Sequence, residues 1–178
     1  YQALQDSQGC NLLCMSRNTA IKPFMDYGPY FEYTDATPNT LILDAPYTYT
    51  NGTNIFNAAR DYKGFITAKQ ALAESRNIPA LKVFQSVDKN KIADYVHSFG
   101  IDYGQNLYES ASIGAFDGVT ALEMSAAYGA YARGGYYIEP YSYTQITYRD
   151  NGEIYVKTTK KTIAIPYVDA FIVDEDIE

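Results

Sequence analysis

Gln70-Ala71-Leu72-Ala73-Glu74-Ser75-Arg76-Asn77-Ile78-Pro79-Ala80 is the stretch on which the fold turns. Thr67 precedes it as a helix cap, and Ala68, Ala71 and Leu72 form an apolar side running toward Ser75. Pro79 disfavours helix at the residue before it, which predicts a break and a second helix start there. Leu81, Val83, Phe84 and Val87 fit that second helix. The junction therefore carries Ser75-Arg76-Asn77 in a turn. A Ser and an Asn two apart in a turn can both face a cleft: the hydroxyl can relay a proton, and the amide can hold a substrate carbonyl. By itself the triplet is an ordinary polar end to a helix.

Upstream lies Thr19-Ala20-Ile21-Lys22-Pro23-Phe24-Met25, followed by Asp26-Tyr27-Gly28-Pro29. Thr19 can cap a helix whose next turn buries Ile21, Phe24 and Met25, with Pro23 tolerated in the first turn. Thr19 and Lys22 stand at i and i+3 and point the same way. A hydroxyl and an amine at that spacing can act as nucleophile and base, provided the amine is neutral. The four-residue pattern alone is common by chance. Residues 34–64, rich in Thr, Asn, Pro and Gly, read as a long surface excursion with short extended pieces.

Downstream, a third helix runs from about residue 90 to 99, with Ile92, Tyr95, Val96 and Phe99 inward and Gly100 as its stop. Thr120-Ala121-Leu122-Glu123 is a capping box. The helix behind it is expected to bury Leu122, Met124 or Ala126, Ala127 and Tyr131, and to end at Gly134-Gly135. Residues 137–148 and 153–159 flank Asp150-Asn151-Gly152, a hairpin signal. Helices followed by hairpin strands give an α+β fold, with a helical cluster packed on an antiparallel sheet.

The 178 residues suffice for one domain with a real core, and 47% hydrophobic with 20% charged residues is ordinary for a globular protein. The net charge of −7, with no Lys/Arg stripe, argues against nucleic acid as a partner. Apolar runs are too short to span a bilayer. The chain does not begin with Met and reads as an excised or partial segment. Tyr is abundant at 19 residues while Trp is absent; tyrosines can line a peptide or glycan groove, or simply lie half-buried and scattered. Cys10 and Cys14 would share a helix face, yet with His97 as the sole histidine they are too few to hold a metal. No cofactor or metal is expected.

Taken together, Ile21-Lys22-Pro23, Asp26-Tyr27-Gly28-Pro29, Gly64, Thr67 and the stretch from Gln70 to Ala80 resemble the transpeptidase domain of class A penicillin-binding proteins. The similarity continues through Gly100-Ile101-Asp102-Tyr103, Thr120-Ala121-Leu122-Glu123-Met124 and Gly134-Gly135 to Pro140-Tyr141. Leu72 to Ala80 is its most specific part, and roughly residues 20–155 are covered. The resemblance implies a serine β-lactamase/transpeptidase-like fold, here incomplete, with residues 1–18 unlike the family and residues 19–178 a partial transpeptidase domain. It implies a D,D-transpeptidase, in which a serine attacks the D-Ala-D-Ala carbonyl of a stem peptide to form an acyl-enzyme that penicillins mimic. By position, Thr19 would be the nucleophile, Lys22 its activator, Ser75 the proton relay and Asn77 the holder of the substrate amide. Implied partners are peptidoglycan stem peptides and β-lactams. The full-length protein would be membrane-anchored on the extracytoplasmic face of the bacterial cell membrane, behind an upstream glycosyltransferase domain.

Two departures stand against that pattern. Thr19 replaces the nucleophilic Ser, and its extra methyl restricts χ1 and crowds the attack path. The family's Lys-Ser/Thr-Gly motif is absent: Lys157-Thr158 and Lys161-Thr162 are followed by Thr159 and Ile163. In the family that motif supplies an oxyanion donor, whose loss costs on the order of 3 kcal/mol. Whether the chain is an enzyme therefore stays open at this point. The other readings are a catalytically inactive remnant or non-catalytic relative that binds wall peptide or a partner, and a penicillin-hydrolysing or penicillin-sensing relative.

Overall fold

The computed structural model describes residues 19–116 and 119–165. The expectations for residues 1–18, Cys10 and Cys14 among them, lie outside the described residues. The centre of the fold is one helical segment that changes pitch twice: a 3-10 turn over Thr19–Ile21, a π turn over Pro23–Tyr27, and helix α1 over Gly28–Tyr33. The π pitch has a local cause. Pro23 brings no N–H to the ladder, and the Gly28 N–H reaches back to the Pro23 carbonyl, five residues away. Gly28 also admits Tyr95: a Cβ there would stand 2.4 Å from both the Pro23 carbonyl and the Tyr95 hydroxyl. As expected, Ile21, Phe24 and Met25 are fully buried. Phe24 meets Phe99 at 5.1 Å and Tyr128 at 4.9 Å edge-on, and stacks on Tyr131 at 4.9 Å.

Around this segment pack α2 (Ala68–Ala73), α3 (Asn77–Ser86), α4 (Lys89–Ser98) and a 3-10 turn over Glu109–Ile113. Thr67 caps α2 by accepting from the Gln70 N–H. Val87 lies just past α3, because Asp88 caps the next helix by accepting from Asn90 and Lys91. Ile92, Tyr95, Val96 and Phe99 are buried, and Gly100 follows at φ +70. Helix α5 (Ala121–Ala132) opens on the complete Thr120–Glu123 capping box. Its inward face is Met124, Ala127, Ala130 and Tyr131. Leu122 corrects the expectation: it is 58% exposed, since it stands about 140° around the helix from Ala127.

Among the described residues the strands form four two-stranded antiparallel pairs. Strand β1 (Leu41–Asp44) pairs with β4 (Gly64–Thr67), and β2 (Tyr47–Thr48) with β3 (Asn54–Ile55). Strand β6 (Gln145–Thr147) pairs with β7 (Ile154–Val156) across the Asp150-Asn151-Gly152 turn, in shorter spans than the sequence suggests. Strand β5 (Tyr136–Ile138) pairs with β8 (Lys161–Ile163), a contact no local turn signal announces. The stretch 34–64 is only partly a surface excursion. Alternation along β1 turns Ile42 and Asp44 inward while Leu41 and Leu43 stay exposed, and Ile55 and Asn57 are buried further on.

Candidate active site

The first part of the site is the pitch-changing segment itself. Lys22 is helical at φ −54 and ψ −39, directly before Pro23, a conformation that proline disfavours in its predecessor. Two tyrosines of α5 brace this turn from 108 residues away: Tyr128 Oη donates to the Ala20 carbonyl at 2.7 Å, and Tyr131 Oη to the Pro23 carbonyl at 3.0 Å. The capping box of α5 thus acts at a distance, by fixing the helix that carries both hydroxyls.

The second part of the site is the α2–α3 junction. Ser75 adopts φ +52, the left-handed region, at a cost for a non-glycine residue of about 1 kcal/mol. That twist lets its carbonyl and its hydroxyl face the same way. Lys22 Nζ donates to the Ser75 carbonyl at 2.7 Å, to Ser75 Oγ at 3.0 Å and to Asn77 Oδ1 at 2.9 Å. Three N–H donors meet three acceptors. Lys22 is 1% exposed. Burial pulls its pKa down from 10.5 to about 8, against the opposing pull of the Asp26 carboxylate.

A third layer holds the junction, and no local sequence signal announces it as a unit. Helix α3 begins after Arg76, whose side chain makes no cap. The cap comes instead from Asn57: its Oδ1 accepts from the Asn77 N–H at 2.9 Å and the Ile78 N–H at 3.2 Å. Asn57 Nδ2 in turn donates to Asp44 Oδ1 at 2.7 Å. Arg76 closes the set, donating from Nε and Nη2 to Asp44 Oδ2 at 3.0 and 2.6 Å, and from Nη1 to Asp61 Oδ1 at 2.7 Å. Asp44 is fully buried and Arg76 is 5% exposed. One sequence signal was available: Asp44 is a charge at an inward position of an alternating strand, and such a charge needs a partner.

Lys22, Ser75 and Asn77 therefore meet, although 53 and 55 residues separate the amine from its partners. Thr19 opens the same helical turn; for it only the backbone is described. Lys161 and Thr162 stand on β8, paired to β5. His97 stacks on Tyr103 at 4.9 Å. A groove of about 1250 Å³ lies at the far end of α3, lined by residues that include Tyr47, Tyr49, Phe84, Tyr108 and Glu109. Among the described residues no cluster of His, Cys, Asp and Glu is placed to hold a metal, and no helix is long and apolar enough to cross a membrane.

Comparison with known proteins gives the family and the fold. The sequence profile of the penicillin binding protein transpeptidase domain matches residues 21–170. Penicillin-binding protein 1A/1B of Bacillus subtilis is 38% identical over 160 residues, covering 88% of this chain and 18% of that protein. Penicillin-binding protein 1A of Streptococcus pneumoniae is 35% identical over 144 residues, covering 76% of this chain and 20% of that protein. The chain thus spans about a fifth of the length of these relatives. Among solved structures, penicillin-binding protein A of M. tuberculosis, as its imipenem acyl-enzyme complex, superposes with a TM-score of 0.80 at 16% identity, covering 98% of this chain and 47% of that one. The α+β fold is that of penicillin-binding transpeptidase domains, and the chain belongs to the penicillin-binding protein transpeptidase domain family, with its relatives among the class A penicillin-binding proteins.

Proposed function

We propose that the Lys22–Ser75–Asn77 cluster is the acyl-transfer site of a D,D-transpeptidase acting on D-Ala-D-Ala stem peptides of peptidoglycan. The observation that carries this reading is a buried amine, poised near neutrality, hydrogen-bonded to a serine hydroxyl and an asparagine amide that lie far away in sequence. Neutral Lys22 takes the proton of the Thr19 hydroxyl as the oxygen attacks the penultimate D-Ala carbonyl. The new ester bond forms, the peptide C–N bond breaks, and the proton passes through Ser75 Oγ to the departing amine. Asn77 Nδ2 gives one N–H to the Phe56 carbonyl at 2.9 Å and directs the other toward the substrate amide. An acceptor amine then takes the acyl group from Thr19. β-Lactams enter by the same first step, with ring opening in place of a departing amine, and the imipenem acyl-enzyme of the M. tuberculosis relative supports that step by analogy. The whole protein works, on this reading, at the extracytoplasmic face of the bacterial membrane, anchored there and preceded by a glycosyltransferase domain.

A second reading, a non-catalytic relative that binds wall peptide, is favoured by Thr19 in the nucleophile position. The pH dependence of acylation separates the two. If Lys22 is the base, the rate of labelling by a fluorescent penicillin climbs about tenfold per pH unit below about 8 and levels above it. A flat profile between pH 6 and 9 removes Lys22 from that role.

A further inference from the structure

The π turn buries a carboxyl that the acyl-transfer steps do not use. Asp26 is 0% exposed, and neither of its oxygens has a hydrogen-bond partner among the described residues. Its chain neighbours Phe24, Met25 and Tyr27 are equally buried. An orphaned carboxyl in such a place is costly, and packing alone gives no reason for it, since an apolar side chain of similar size would avoid the cost. Asp26 stands at i+4 from Lys22, one turn along the same face of the segment.

The other charges nearby are already committed or carry no positive charge. Ser75 and Asn77, from the α2–α3 junction, occupy the three donors of Lys22. Asp44, from β1, is closed by Arg76. Tyr27, beside Asp26, is a phenol whose pKa is pushed up by burial first, then by Asp26, Asp44 and Tyr30. From α5, Tyr131 donates to the Pro23 carbonyl, and from α4 Tyr95 lies 3.3 Å from the Tyr131 hydroxyl. Among the described residues, the cation whose charge acts on Asp26 is Lys22.

We propose that Asp26 is a positioning residue for Lys22: its carboxylate is the internal counter-charge that holds the proton on the amine in the resting site, and so governs how readily Lys22 takes the proton of the nucleophile. The proposal rests on the reading of Lys22 as general base. Its electrostatics follow from the two groups' opposed tendencies. Burial favours the neutral form of each, raising Asp26 and lowering Lys22, while each charge stabilises the other. The two therefore titrate as a pair. With the carboxylate gone, the three acceptors around Nζ remain but the opposing charge does not, and the amine gives up its proton at lower pH.

The experiment is a ¹³C NMR titration of the intact chain, following Lys22 Cε and Asp26 Cγ, in parent and Asp26→Asn. The isosteric amide keeps the shape and removes the charge. The Lys22 midpoint is expected to fall by about one pH unit in the variant, and the acid limb of penicillin acylation to move down with it. A carboxyl that serves only packing leaves both unmoved. An unchanged Lys22 midpoint in folded Asp26→Asn overturns the proposal. If that variant fails to fold, the parent decides: Asp26 Cγ is expected to respond across the range where Lys22 titrates, and a silent Asp26 Cγ overturns the proposal equally. A shifted Lys22 midpoint in a chain that never labels with penicillin keeps the coupling and rejects the acyl-transfer reading, so the two failures are distinguishable.

Discussion

Lys22→Met is expected to lower the rate of penicillin acylation by a factor of about 10² to 10⁴, the range associated with loss of a positioned general base. Thioether and amine are of similar length, so the pocket stays filled. Stability is expected to fall as well. The variant removes a buried, desolvated amine, which stabilises, but leaves the Ser75 carbonyl, Ser75 Oγ and Asn77 Oδ1 without their donor and the buried Asp26 without its counter-charge, which together destabilise. Thermal unfolding of the variant therefore serves as the control for folding. Lys22→Arg sharpens the result. Guanidinium keeps the charge and the donors but does not deprotonate in proteins, so it cannot accept the nucleophile's proton. Both variants are expected to be equally slow. A Lys22→Arg chain that acylates at the parental rate would show that position 22 supplies a charge rather than a base.

The second large effect falls on stability. Arg76→Met is expected to cost about 3–5 kcal/mol, because it leaves the fully buried Asp44 carboxylate without its cation. For a chain of this size that is a fall in melting temperature of about 10 °C. The loss should not be confined to one ion pair. Asp44 also orients Asn57, and Asn57 caps α3 at Asn77 and Ile78, so the junction that presents Ser75 and Asn77 loosens together. Adding Asp44→Asn to Arg76→Met removes the orphaned charge and should recover part of the deficit, so the two changes are not additive. Equal melting temperatures for parent and Arg76→Met, by calorimetry, would contradict this account of what holds the junction.

Much of this is legible from sequence, and the reasons differ by residue. Thr67, Gly100 and the Thr120–Glu123 box are local signals whose partners lie within a few residues, and they mark the same helix ends in the structure. Lys22, Ser75 and Asn77 stand out by chemistry and family resemblance, yet nothing in composition or periodicity brings a lysine to a serine 53 residues away. Packing does that: α5 braces one side of the site through Tyr128 and Tyr131, and Asn57 ties the other. Asp44, Asn57 and Arg76 escape a local reading because each is satisfied by a residue on a different element. Pro23 is tolerable in a first turn on sequence grounds; that it opens a π turn depends on Gly28 and on Tyr95 packing against it, a tertiary effect. Leu122 shows the limit of counting apolar residues behind a cap without following the helical angle.

The central claim is that position 19 carries the acyl group and that Lys22 activates it. Mass-spectrometric mapping of the penicillin adduct in parent, Thr19→Ser and Thr19→Ala chains tests it most directly. The account predicts the adduct on residue 19 in the parent, faster formation in Thr19→Ser, where a methyl leaves the attack path and the hydroxyl stays, and none in Thr19→Ala. Equal labelling of the parent and Thr19→Ala, or an adduct mapped to Ser75, would contradict it.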